Sequence, residues 1–195
     1  MKTLLITGFD PFGGESINPS WEAVKCLPDA VGAVQLRKLQ IPTVFCEAAS
    51  IVIQTAENCN ADYILCIGQA GGRKAVTPEF AALNVRSARI PDNRGYQPAG
   101  ERISEDGPDG LFATVPVKAM AETIARAGLP GEVSYHAGTF VCNDVLYSVL
   151  THFRNTSVSA GFIHVPYLPE QAGENKPSLP LQSIVQALCA AISCL

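Results

Sequence analysis

The chain has 195 residues, 47% of them hydrophobic and 16% charged, a composition too apolar for a disordered segment and rich enough to fill a sizeable core. Its net charge of −4, with no cluster of Lys or Arg, argues against a surface for nucleic acid or anionic lipid. The seven cysteines are odd in number and include no close-spaced pair of the zinc-knuckle or redox type, so reduced thiols in a cytoplasmic protein are expected.

In chain order, Thr3 to Thr7 reads as a strand, Pro19 to Leu27 as a helix, Val34 to Gln40 as a strand, Val44 to Glu57 as a helix and Tyr63 to Gly68 as a strand. Residues 69 to 112 interrupt this alternation. They are rich in Gly, Pro, Asp and Arg, and Ala82-Leu83-Asn84-Val85-Arg86 has the alternation of a short hairpin. A helix is predicted over Pro116 to Ala127, a strand near Glu132 to His136, a helix from about Asn143 to Arg154, a strand at Gly161 to Val165 and a last helix from Leu181. The N-terminal apolar run is too short for a signal peptide, and no later run is long enough to span a bilayer. No stretch resembles a linker, so a single domain over residues 1–195 is expected.

Strands that alternate with helices pair in parallel through crossovers, and the wholly apolar Tyr63-Ile64-Leu65-Cys66-Ile67 suits burial on both faces. The expected fold is a three-layer α/β/α sandwich around a mostly parallel twisted sheet. Ligands of such sheets bind beyond the carboxyl ends of the strands. The loops expected there are Gly8-Phe9-Asp10-Pro11-Phe12-Gly13-Gly14, Gly68-Gln69-Ala70-Gly71-Gly72, Ala137-Gly138-Thr139-Phe140-Val141-Cys142-Asn143 and His164-Val165-Pro166-Tyr167.

Cys142 follows a small-residue turn and opens a predicted helix. There a thiol meets the positive end of the helix dipole and unpaired N–H groups, which lower its pKa and suit it to attack a carbonyl. Most other cysteines, such as Cys66, sit in apolar runs as small hydrophobes. His164 ends an apolar strand before Pro166, where a base belongs, although from the residue alone a satisfied core or rim histidine is the more ordinary reading. His136 and His152 are weaker candidates. Glu79, in the polar insertion, could orient the imidazole, but from the residues alone it is one of 18 acids. Phe9 and Phe12 either pack a core or wall an apolar pocket; Arg89 is either a surface ion-pair partner or a cation beside the thiol. The glycine loop at 68–72 matches neither a P-loop nor a dinucleotide fingerprint, so no nucleotide cofactor is expected.

Taken together, these segments resemble the pyroglutamyl peptidase type I family over nearly the whole chain. The match is carried by Gly8 to Gly14 with Asn18 to Val24, by Gly68 to Gly72 with Thr77-Pro78-Glu79, by Ala88-Arg89-Ile90-Pro91-Asp92-Asn93, by Ala137 to Asn143 and by Phe162 to Tyr167. The resemblance implies a phosphorylase/hydrolase-like α/β fold and a cysteine peptidase that removes N-terminal pyroglutamate from peptides. It implies no metal or cofactor, and assembly as a tetramer. It places the catalytic glutamate, cysteine and histidine at Glu79, Cys142 and His164. It makes Phe9, Phe12, Gln69, Ile90, Phe140 and Val141 the pocket for the pyrrolidone ring, with Arg89 beside the thiolate.

Two stretches depart from the family pattern, Phe80-Ala81-Ala82-Leu83-Asn84 and Asp144. A charge on Asp144, two residues past the cysteine, would raise the thiol pKa. One alternative is a non-catalytic homologue that binds pyroglutamyl peptides, its catalysis prevented by Asp144 or the altered insertion. Others are a related cysteine amidase and, because folds of this shape also host them, a nucleoside phosphorylase that uses the glycine loops for phosphate.

Overall fold

A computed structural model describes residues 1–195. Strand β1 (Lys2–Phe9) leads to α1 (Pro19–Cys26), then β2 (Ala30–Val31) and β3 (Val34–Ile41), α2 (Glu47–Asn58) and β4 (Tyr63–Gln69). The insertion holds five short strands: β5 (Thr77–Pro78), β6 (Ala81–Leu83), β7 (Arg86–Ser87), β8 (Ala99–Glu101) and β9 (Gly110–Phe112). Helices α3 (Val117–Arg126) and α4 (Val141–His152), strand β10 (Ser159–Val165), the short α5 (Pro169–Ala172) and α6 (Leu181–Ile192) complete the chain.

The main sheet has six strands in the order β2-β3-β1-β4-β10-β5. Strands β3, β1, β4 and β10 run parallel, while β2 and β5 pair antiparallel at the two edges. Side chains alternate between faces along each strand. Leu4, Ile6, Leu65, Ile67, Ile163 and Val165 pack with α1, α3 and α6, including Val24, Met120, Ile124 and Leu188. Leu5, Ile64, Cys66 and Phe162 pack on the opposite face with Val52 of α2 and with Val145 and Val149 of α4. This is the predicted three-layer arrangement, and the apolar strands are apolar because both of their faces are covered. No helix is long and apolar enough to cross a membrane.

Two parts of the chain differ from the sequence expectation. The predicted hairpin at 82–86 is split: β6 pairs with β9, and β7 pairs with β8, so its two halves pair with distant segments instead of with each other. Asn84 lies between them and explains the split, because its side chain is occupied by Ile103 N–H, Ser104 N–H and the carbonyls of Ser104 and Gly107. The expected strand at 132–136 is reduced to bridges of Val76 with Gly131 and Glu79 with Ser134. Pro78 lies in the partner segment and has no N–H to donate, which keeps that pairing from extending into a ladder.

The local start of α1 follows the sequence closely. Asn18 caps it by accepting from Ser20 N–H at 3.1 Å, and Pro19 occupies the first turn, where a missing N–H costs nothing. Ser20 Oγ in turn accepts from Phe9 N–H at 2.9 Å, so the helix start is tied to the end of β1. Gly8 permits that approach, since a Cβ there would stand 2.6 Å from the Trp21 backbone.

Candidate active site

Strands β1, β4 and β10 are parallel, so their carboxyl ends share one edge, where Phe9, Gln69 and Val165 end. The four loops expected beyond that edge line one pocket of about 590 Å³. Phe9 and Phe12, then Gln69, Ala70 and Gly71, then Ala137 to Phe140 with Cys142, and finally His164 and Tyr167 contribute to its wall. The insertion closes it with Arg73, Ser87, Arg89 and Ile90. Of the residues expected in the ring pocket, Phe9, Phe12, Gln69, Ile90 and Phe140 line it, and Arg89 stands at its exposed mouth. Val141 does not. As the first residue of α4 its side chain is fully buried in the core against the sheet, because the helix turns that position inward while the next residue faces the cavity.

Period-two alternation puts His164 on the same face of β10 as Phe162, the face covered by α4. The two rings lie 4.8 Å apart between centroids. His164 Nδ1 is 2.6 Å from Glu79 Oε1. The carboxylate arrives there because β5 pairs antiparallel with the end of β10, His164 opposite Thr77, and Glu79 N–H continues that pairing to the Phe162 carbonyl at 2.8 Å. Glu79 is fully buried, and His164 nearly so. Gly68 is the register partner of His164 on β4, and a Cβ on it would fall 2.7 Å from the Phe162 ring and 2.9 Å from Cys142 Sγ. The sulfur thus occupies space that any side chain at position 68 would take.

Cys142 is the second residue of α4, half-buried as a residue, and it lines the pocket. The N–H groups of Asn143 and Asp144 both bond the Phe140 carbonyl, which leaves those of Val141 and Cys142 as the unpaired donors of the first turn. The dipole argument alone predicts a lowered thiol pKa. In the structure burial dominates, reinforced by the charge of Glu79 and by Cys66, and pushes the Cys142 thiol up to about 12 against the opposing field of Arg73. Burial likewise pushes the imidazole of His164 below its ordinary value, although Glu79 pulls it upward. Burial would raise Glu79, but the hydrogen bond and charge of His164, Ser134 and then Arg73 outweigh it and hold the carboxyl below its usual range. These shifts favour a neutral thiol, a neutral imidazole and an ionised carboxylate in the free site. With the carboxylate accepting, Nδ1 carries the ring proton and Nε2 is the basic nitrogen.

Sequence reasoning missed several residues that build this site. Arg73 Nη1 donates to Glu79 Oε1 at 2.6 Å and also bonds Thr77; its only sequence signal is a cation directly after the glycine run. Phe45 meets Phe140 edge-on at 5.3 Å and buttresses the wall that Phe12 and Phe140 form at 5.9 Å. Buried Asp92 accepts from the N–H groups of Phe45, Arg94 and Tyr96, and so fixes the lip beside Ile90. Of the other histidines, His136 lines the pocket mouth, whereas His152 pairs at 2.8 Å with Glu57 elsewhere.

The expected effect of Asp144 on the thiol is corrected by its position. Residues two apart on a helix lie on different faces. Asp144 is fully buried away from the pocket, accepting from Arg86 Nε at 2.6 Å and Cys46 N–H at 2.8 Å. Asn143, also fully buried, holds Leu83 N–H and the carbonyls of Leu83 and Val85. These two side chains staple the insertion to the helix that carries Cys142. Asp144→Ala is expected to leave Arg86 unpaired and to cost about 3 kcal/mol of stability, the usual effect of removing one partner of a buried pair. Denaturant unfolding measures it, and a change below about 1 kcal/mol would mean that the staple carries little load.

The pyroglutamyl peptidase family model matches residues 1–195. The chain is 50% identical to a pyrrolidone-carboxylate peptidase of Lactobacillus johnsonii, over 97% of this chain and 90% of that protein. It is 51% identical to one of Levilactobacillus brevis, over 97% and 95%. Its structure is similar to the crystal structure of pyroglutamyl peptidase I from Bacillus amyloliquefaciens, with a TM-score of 0.94 and 46% identity over 98% of this chain and 95% of that one. Fold and matches together define an α/β hydrolase of the cysteine-peptidase class. Within that class, the chain belongs to the pyroglutamyl peptidase family.

Proposed function

We propose that this enzyme removes N-terminal pyroglutamate from peptides, with Cys142 as nucleophile, His164 as general base and acid, and Glu79 as the group that orients the imidazole. The observation that carries the reading is the 2.6 Å contact between His164 Nδ1 and Glu79 Oε1, which directs Nε2 into the pocket that Cys142 lines.

In the first step Nε2 takes the thiol proton as Sγ attacks the exocyclic carbonyl carbon of the pyroglutamyl residue. The resulting oxyanion is held by the Val141 and Cys142 N–H groups, with Arg89 at the mouth supplying positive charge. The imidazolium gives its proton to the leaving amine as the C–N bond breaks, which leaves a thioester on Sγ. Water, deprotonated by the same nitrogen, then hydrolyses the thioester and frees pyroglutamate.

Specificity follows from what the wall lacks. Phe9, Phe12, Ile90 and Phe140 suit a neutral five-membered lactam, and Gln69 can exchange amide hydrogen bonds with it. No Asp or Glu lines the pocket, so the α-ammonium of an N-terminal glutamine would be desolvated without a partner. The reading of a non-catalytic homologue drew on Asp144 or on the altered insertion, and the Arg86 pair bears on the first of these grounds alone.

Further parts of the reading rest on the same family. The chain works as a single domain, which one sheet bearing both cores supports, and in the cytoplasm, which its free cysteines support. It assembles as a tetramer. Phe112 and Tyr135, each 70% exposed and both packed on Phe80, give an apolar surface for such an interface.

Incubating the reduced protein with the aminomethylcoumarin amides of pyroglutamate, proline and glutamine tests the assignment. Fluorescence release is expected from the pyroglutamyl compound alone and is expected to stop after iodoacetamide treatment. Equal release from the prolyl amide would remove the specificity argument, and silence with all three would remove the activity.

A further inference from the structure

We infer that Arg73 is a positioning residue for the triad: it holds Glu79 ionised through the carboxylate oxygen that His164 also uses, and so keeps the imidazole in its unprotonated, proton-accepting form. This inference rests on the triad assignment above.

Its basis is geometric. Glu79 Oε1 receives both Arg73 Nη1 and His164 Nδ1, each at 2.6 Å, while Oε2 is buried with no partner at hydrogen-bond distance, although the Ser134 side chain also favours the ionised carboxylate. A carboxylate with one doubly used oxygen and one orphaned oxygen, fully removed from water, would take up a proton unless a fixed positive charge opposed it. His164 supplies such a charge only while it is protonated, when it no longer serves as the base. Arg73 supplies it permanently, since guanidinium does not deprotonate in proteins. Thr77, which opens β5, bonds the same Nη1 and fixes the guanidinium toward the carboxylate, although the Arg73 side chain keeps 30% exposure at the pocket wall.

Sharing one oxygen has a second effect. An acceptor that already serves a guanidinium gives less of its charge to the imidazole, and the guanidinium itself repels a second proton on the ring. Both effects favour neutral His164, in the same direction as burial. The charged and titratable groups that face His164 are few: Glu79 beside β5, Arg73 in the loop after β4, Cys142 on α4 and Cys66 on β4, with Arg89, His136 and Tyr167 farther out along the pocket. Only Glu79 attracts a proton to the ring, so Arg73 is the group placed to balance it.

The test compares kcat/KM for the pyroglutamyl aminomethylcoumarin amide between pH 5 and pH 8 in wild type, Arg73→Met and Arg73→Lys, with circular dichroism to show that each variant is folded. In Arg73→Met the acid limb is expected to move to higher pH by about half a unit or more, an extra loss of about threefold at the acid end relative to pH 8. Arg73→Lys, which keeps the charge, is expected to return the limb toward wild type. A loss in Arg73→Met that is the same at every pH would assign Arg73 a merely structural role and overturn the inference. A limb that moves equally in both variants would also overturn it, because charge would not be the cause. Glu79→Gln separates this failure from that of the triad: if Glu79→Gln retains full activity, the triad assignment falls, whereas if it is inactive and the Arg73→Met limb is unmoved, only the role of Arg73 falls.

Discussion

Cys142→Ala is expected to lower turnover of a pyroglutamyl amide by about a thousandfold or more, as deletion of a covalent nucleophile does in comparable sites. The fold should survive, because a smaller side chain at a half-buried position leaves only the volume of one sulfur beside Gly68. Equal melting temperatures within a few degrees, with activity lost, would separate chemistry from unfolding. Cys142→Ser is the sharper variant. It retains a hydroxyl in nearly the same place, yet in the proposed mechanism even the thiol relies on His164 for deprotonation, and a hydroxyl is a far weaker acid. Alkylation provides an independent readout: iodoacetamide should block turnover through Cys142, and a pyroglutamyl aldehyde should protect it. Modification that blocks turnover from Cys26 or Cys46, which are the exposed thiols, would point to a different nucleophile.

The second large effect is expected at Glu79. Glu79→Gln keeps the shape of the side chain but removes the anion that fixes the proton on Nδ1. The amide can present N–H to that nitrogen, which favours the tautomer with its proton on Nε2, the wrong one for a base. A loss in kcat of about 10²- to 10⁴-fold with little change in KM is expected, by analogy with neutralising the orienting acid of other triads. Stability should change less than activity, since the substitution also relieves a fully buried charge, leaving Arg73 with its partial access to water. A variant within tenfold of wild type would show that His164 is oriented by other contacts, such as its packing on Phe162.

What the sequence revealed was set by how local each signal is. The strands of the parallel sheet were legible because burial on both faces leaves an unbroken apolar run, as in Ile64 to Ile67. The start of α1 was legible because Asn18 and Pro19 act within two residues of each other. The insertion was not, because its pairings are long-range: Asn84 reaches residues 103 to 107, and Asn143 reaches back to 83 and 85. The thiol's environment was misread for a related reason. Helix position is visible in sequence and predicts an acidified sulfur, but the burial that opposes it is set by long-range packing, which seats the sulfur over the side-chain-free Gly68 of β4. Family resemblance supplied Glu79 where spacing had left it among many acids. It did not supply Arg73, whose meaning depends on which oxygen it touches.

The two faces of the central sheet carry different duties. Cys142, His164 and Glu79, the proposed triad, lie on the α4 side, whereas α1, α3 and α6 pack a separate apolar layer behind the same strands. Met120, Ile124 and Leu188 in that layer are fully buried and belong to none of the pocket's walls. Truncating one of them to alanine removes about 2–5 kcal/mol of stability without moving a reacting atom. Thermal endurance and turnover are therefore separately adjustable in this molecule: the rear layer can be repacked for heat resistance while the front layer keeps the spacing that the thiol requires.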